Sequence, residues 1–199
     1  KADPEPSRVL AMELKDIPFR DVNLEGDGLM IHRIRGVLGY HGNQLGRYNS
    51  LLDKDQSFQE VLDPRIWQLL NIRYLLTNSA DVKEAFPGAQ WVIGPVKDNA
   101  GADVYLYRMP GENPYSWVTP TIVKADDNAV RATLLHPGFD LGAAALFASD
   151  APVNGVASLQ TLPVPLQSKT SVDHYSPRHA TISLYDRAPT VSALVVSVK

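Results

Sequence analysis

Runs with a two-residue apolar period and runs with helical spacing are interleaved along the first half of this chain, which predicts α mixed with β and several antiparallel hairpins. Residues 8–14, Arg-Val-Leu-Ala-Met-Glu-Leu, read as a first strand, and Pro4 and Pro6 keep the chain before it extended. Residues 29–35 read as a short strand, with Leu29, Ile31 and Arg33 on one face and Met30, His32 and Ile34 on the other. Leu45, Tyr48, Leu51 and Leu52 recur at helical spacing and predict a helix from about Asn43 to Leu52. Asp63-Pro64 opens a second helix, because Asp caps and Pro suits the first helical position. Its apolar face is Ile66, Leu69 and Leu70, with Trp67 at the edge, and Asn71 stops it. The strand over 72–77 follows at once, so the pattern puts Leu45, Tyr48, Leu52, Ile66, Leu69, Leu70 and Tyr74 in one core. A short helix is predicted over 81–85, then strands over 90–93 and 103–108 around a turn at 97–101.

The pattern changes at 109–114, where Pro110, Gly111 and Asn113-Pro114 cluster. Residues 115–123 predict a strand broken by Pro120, residues 126–135 a helix ended by His136-Pro137-Gly138, and residues 141–147 either a helix or a buried strand. A proline-rich loop precedes strand-like runs at 170–175, 179–184 and 191–198. The fold class is therefore α+β: a mixed part over 1–110, then a mainly β, sandwich-like part over 111–199.

Charge and composition narrow the function classes. Nineteen Lys and Arg against 22 Asp and Glu give a net charge of −3, which argues against a nucleic-acid or anionic-membrane surface. No run of about 18 apolar residues occurs, so no membrane span is expected. Cysteine is absent, which removes disulfides, thiolate metal sites and cysteine nucleophiles. The five histidines form no H-x-x-x-H or H-E-x-x-H pattern, and no G-x-S-x-G, Walker or dinucleotide fingerprint is present. No cofactor, metal or catalytic residue is assigned. Adjacent acids at Asp53/Asp55 and Asp126/Asp127 read as caps or solvated charges. Tyr105, Tyr107, Tyr115 and Trp117 read as core and rim aromatics before they read as a sugar-stacking platform.

The stretch from Gly36 to Leu52 carries the candidate chemistry. Glycines at 36, 39, 42 and 46 allow close approach or positive φ. Among them stand Tyr40, His41, Asn43 and Arg47, an aromatic face, fixed polar groups and a cation beside a predicted helix start. Such a set suits a sugar, or a phosphate held by Arg47 and backbone N–H groups. The same residues also suit a purely structural turn.

The run G-Y-H-G-N-Q-L-G-R-Y-x-x-L-L, with Leu69-Leu-Asn-Ile-Arg-Tyr-Leu-Leu76 downstream, resembles the soluble part of YfhO-type bacterial membrane proteins, which are similar to GT-C glycosyltransferases. Leu134-Leu-His-Pro-Gly-Phe-Asp140 resembles a further stretch of that family, whereas the family's Pro-Arg-Ala-aromatic-Val stretch lacks its Arg at 114–118. The resemblance implies an extracytoplasmic domain of a polytopic cell-membrane protein that uses lipid-linked sugars in the cell envelope. It implies the membrane-embedded portion of the same polypeptide and a glycan or lipid-linked sugar as partners. It places the acidic catalytic residue of the family outside this stretch, so the domain itself is expected to position an acceptor or act as a scaffold. In the family the last strand-like run leads into an aromatic-Pro-Gly-Trp segment absent here, so the C-terminal part is expected to be incomplete. A carbohydrate-binding module of a secreted protein is the alternative.

Overall fold

The structure, a computed structural model, describes residues 5–16, 21, 24, 27–39, 45–53, 57–176, 178–185 and 192–197. The chain divides into two compact units, one over Ser7–Asn113 and the other over Pro114–Lys199 together with the residues before Ser7. The first is mixed α and β around a five-stranded sheet, and the second is built mainly from strand pairs.

In the first unit the elements are β1 (Arg8–Ala11), β2 (Arg35–Gly36), α1 (Gly46–Leu51), α2 (Pro64–Leu69), β3 (Ile72–Thr77), β4 (Gln90–Lys97) and β5 (Asp103–Arg108). The sheet order is β2-β1-β3-β5-β4. β1 runs parallel to both β2 and β3, so each of those pairings needs a long crossover. β3, β5 and β4 are antiparallel. Leu10, Ile72 and Leu75 are wholly buried in the sheet, with Val61, Ile66 and Trp67 among the most buried residues of the unit. Trp67 meets Phe86 at 5.7 Å between ring centroids.

The α2–β3 step follows the sequence closely. Asp63 accepts from the Arg65 N–H at 2.8 Å, Pro64 takes the first helical position, and Asn71 ends the helix at φ 56°. Trp67 is not at the edge of the helix: it is 1% exposed, and its indole Nε1–H donates to the Val61 carbonyl at 2.7 Å. That partner lets a polar-tipped ring enter the core. Leu52, Ile66 and Leu70 are buried as predicted, Tyr48, Leu69 and Tyr74 are half-buried, and Leu45 is 62% exposed. Leu45 precedes the helix, at its N-cap, so helical spacing does not govern where it points.

Two predicted elements differ. Residues 29–35 are not a strand: Gly28–His32 is a 3-10 turn, and only Arg35–Gly36 pair with β1. The alternating pattern there is apolar on both faces and so carries no preference for a sheet face. Residues 81–85 form no helix: Asp81 accepts from the Lys83 N–H as a cap would, and the Phe86 N–H closes one turn on the Val82 carbonyl at 2.7 Å, but Pro87-Gly88 follow at once and no second turn forms.

β4 is the outer strand and is irregular. Its register shifts twice against β5, and Gly94, within the second shift, has φ 135° and is followed by a cis peptide to Pro95. A Cβ at Gly94 would lie 2.8 Å from Tyr105 Cδ1 and 2.9 Å from its Cα, so only glycine lets β5 approach this closely.

The second unit holds β6 (Ser116–Thr119), β7 (Ile122–Ala125), α3 (Asp127–Leu135), β8 (Ala145–Ala148), β9 (Thr170–Ser176), β10 (His179–Leu184) and β11 (Ala193–Val196). Three strand pairs result: β6–β11 and β9–β10 antiparallel, β7–β8 parallel with α3 as the crossover. Asp126 caps α3 by accepting from the Asn128 and Ala129 N–H groups, both at 3.0 Å. The stretch 141–147, open between helix and strand by pattern, becomes β8 at its end. Among the described residues no helix is long and apolar enough to cross a membrane.

Candidate functional site

Of the four residues singled out by sequence, Tyr40, His41 and Asn43 lie outside the described residues. Arg47 stands exposed on α1. The helix begins at Gly46 rather than near Asn43, and no side chain caps it. A Cβ at Gly46 would meet nothing within 4 Å, so this glycine is not required by crowding.

Beneath this stretch lies a polar layer that ties it to the sheet. The Tyr48 hydroxyl donates to the Val37 carbonyl at 2.9 Å, and the Val37 N–H donates to the Val9 carbonyl at 3.1 Å. Burial pushes the Tyr48 phenol above its ordinary value of 10.0, while the Arg8 and Arg35 guanidiniums pull it partly back. Two cations therefore sit near one buried hydroxyl. Arg8 is 2% exposed, and its guanidinium donates to the Leu70 carbonyl at 2.7 Å, 62 residues along the chain. A buried guanidinium placed this way satisfies a helix-end carbonyl and holds the strand in register.

The second run, 69–76, closes on the same strand from the other side. Leu75 and Leu76 pair with Leu10 and Ala11, and the Arg8 N–H donates to the Asn71 carbonyl at 2.9 Å. Asn71, 0% exposed, donates from Nδ2 to the Asn113 carbonyl at 2.7 Å, and Arg73 Nε donates to that carbonyl at 3.2 Å. Asn113 returns the contact, its Nδ2 donating to the Ile72 carbonyl at 2.7 Å and to the Pro110 carbonyl at 3.1 Å. A third asparagine, Asn78, accepts from the Leu14 and Lys15 N–H groups at 2.9 and 3.2 Å. These are clamps on the backbone, each spanning a long stretch of sequence.

The remaining candidates are structural where described. Tyr107 is 4% exposed and its hydroxyl donates to the Ala80 carbonyl at 2.7 Å. Trp117 Nε1 donates to the Leu141 carbonyl at 3.0 Å, and Tyr115 meets Tyr175 edge-on at 5.8 Å. Asp173 is bypassed by the β9–β10 register and accepts from the Ser183 and Ser171 hydroxyls, which hold its carboxyl below the ordinary range, Ser183 the more strongly. Its neighbour His174 shares no bond with it; that ring lies 6.0 Å from His179 across the hairpin. Among the described residues no group of three or more His, Asp or Glu is placed to hold a metal ion.

Sequence reading missed Arg8 and Asn113. Arg8 was legible only as a charge opening an apolar strand, and Asn113 only as the residue before Pro114. Both act through partners about forty or more residues away, which no local pattern carries. Comparison with protein-family models, with curated proteins and with solved structures gave no match.

Proposed function

We propose that this chain is the extracytoplasmic domain of a YfhO-like membrane protein that serves cell-envelope glycan or lipid-linked sugar transfer. The domain itself is non-catalytic. It positions an acceptor or braces the membrane-embedded part of the same polypeptide. One observation carries the reading: the two runs that resemble the family, 36–52 and 69–76, meet on β1, where Arg8 donates to Leu70 and faces Tyr48. Two short motifs of little weight singly thus belong to one structural unit. The buried layer acts as a foundation, and the glycine-rich stretch with Tyr40, His41, Asn43 and Arg47 is the ligand-facing part.

The test is a titration of the domain with sugar diphosphates and with neutral oligosaccharides, in the parent and in the Tyr40→Ala and Arg47→Ala variants. A phosphate-bearing ligand depends on Arg47 and weakens with salt; a neutral glycan depends on Tyr40 and does not. Variants that fold normally and bind every ligand as the parent does would overturn the site.

A further inference from the structure

We propose that Asn154-Gly155 is a self-modification site, at which the asparagine cyclises and reopens as aspartate and isoaspartate. It is the only Asn-Gly pair among nine asparagines. The glycine matters because a Cβ on the following residue hinders approach of its nitrogen to the asparagine side chain. The structure then separates this asparagine from the others. Asn71, Asn78 and Asn113 are buried and spend their amides on backbone carbonyls, and Pro114 after Asn113 has no N–H to attack with. Asn99 donates to the Asp21 carboxylate at 2.6 Å. Asn49 and Asn128 sit in α1 and α3, so helical bonds hold the backbone around them. Asn154 is exposed and belongs to no helix or strand. Among the described residues, neither its side chain nor the Gly155 N–H is held by a hydrogen bond.

The step needs only water. The Gly155 nitrogen gives its proton to solvent and attacks Asn154 Cγ. A new N–Cγ bond closes a cyclic imide, the Cγ–Nδ2 bond breaks, and Nδ2 takes up a proton and leaves as ammonia. Water then cleaves the N–Cγ bond, which leaves aspartate, or the original main-chain N–C bond, which leaves isoaspartate with the main chain routed through Cγ. The second product lengthens the backbone at a place with no room for it. A Cβ on Gly155 would lie 2.8 Å from Ile122 Cγ2, 3.0 Å from the Ile122 carbonyl oxygen and 3.1 Å from Lys124 Cγ. The packing against β7 therefore demands glycine here, and by demanding it keeps the reactive pair. Val156, next in the chain, is bonded both ways to β7: its N–H donates to the Ile122 carbonyl at 3.0 Å, and its carbonyl accepts from the Lys124 N–H at 2.8 Å. Isoaspartate formed just before Val156 pulls it out of register with β7 and loosens both bonds. The inference does not rest on the proposed family or on glycan binding.

The test is incubation of the full chain at mildly alkaline pH, warm but below its unfolding midpoint, followed by peptide mapping with mass spectrometry and an isoaspartate-specific methylation assay. The peptide that carries Asn154 is expected to convert before that of any other asparagine, with both products present. Asn154→Gln should remove the methylation signal from that peptide. Hydrogen exchange should show the Val156 and Lys124 amides less protected in the aged chain than in the fresh one. Freshly prepared Asn154→Asp, which adds the charge without lengthening the main chain, should keep them protected. Earlier conversion of another asparagine would overturn the proposal. So would an aged chain that carries isoaspartate at this position and protects both amides as before, or equal loss of protection in Asn154→Asp, which would assign the loosening to charge.

Discussion

Asn71 and Asn113 exchange side-chain hydrogen bonds across 42 residues, each with a positive φ and each almost wholly buried. Asn71 reaches the Asn113 carbonyl, and Asn113 reaches the carbonyl next to Asn71. Both residues are turn formers by local preference, and here each, in the left-handed conformation, sends its side chain to backbone at or beside the other.

Removing the Asn113 amide takes a donor from the Ile72 and Pro110 carbonyls, and removing the Asn71 amide leaves the Asn113 carbonyl with the longer Arg73 bond. Asn113→Ala is expected to cost about 2–4 kcal/mol and Asn71→Ala a similar amount. A double-mutant cycle by denaturant unfolding should show a coupling of about 0.5–3 kcal/mol; strict additivity would mean that the two residues act separately.

Burial on α2 separates neighbouring residues. Trp67→Ala is expected to cost about 3–5 kcal/mol and Ile66→Ala about 2–5 kcal/mol. Leu69, half-buried, should cost less than about 1.5 kcal/mol on the same change. Unfolding midpoints that rank Leu69 above Ile66 would contradict this packing.

Alkaline pH should loosen the first unit through Tyr48. The folded state holds the phenol proton more tightly than the unfolded chain does, chiefly through burial. The contribution is complete below the ordinary value of 10.0 and is lost as pH rises through the higher folded value. Tyr107, raised by burial and by nearby Tyr105 and Asp81, adds in the same direction. Tyr48→Phe should shallow the fall of stability above this pH, with the Tyr107 part remaining. An unchanged slope would show that Tyr48 titrates as it does in the unfolded chain.

Gly94→Ala should destabilise by about 2–4 kcal/mol, since both the φ of 135° and the contact with Tyr105 oppose a methyl group. Gly46→Ala should be neutral or slightly stabilising, because it places a better helix former where a Cβ meets nothing. Thermal melts of the two variants should move apart.

What could be read from sequence was whatever local chemistry decides. Asp63-Pro64 with Asn71 bounds α2, and the apolar run after Asn71 gives β3 with its observed limits. Asp126 and His136 likewise bound α3. What could not be read depends on distant partners. Trp67 enters the core because the Val61 carbonyl receives it, and Arg8 is buried because Leu70 ends a helix beside it. Residues 29–35 had no decisive period, and turn bonds settled them. The predicted ligand stretch is represented within the described residues by Arg47 and by the supports beneath it, which no spacing announced.

β1 lies between two parallel neighbours, and that fixes an order of assembly. It is made before the other strands, yet β2 begins at Arg35 and the pairing with β3 extends to Leu76. Neither partner exists when Val9 and Leu10 leave the ribosome. The β4–β5 hairpin and the α2–β3 step are local and can form quickly, whereas β1 must close long loops first. Pulse-labelled hydrogen exchange should find β5 amides protected before those of β1. Until then the chain carries an apolar strand with no sheet to join, an open edge held in waiting until its two parallel neighbours arrive.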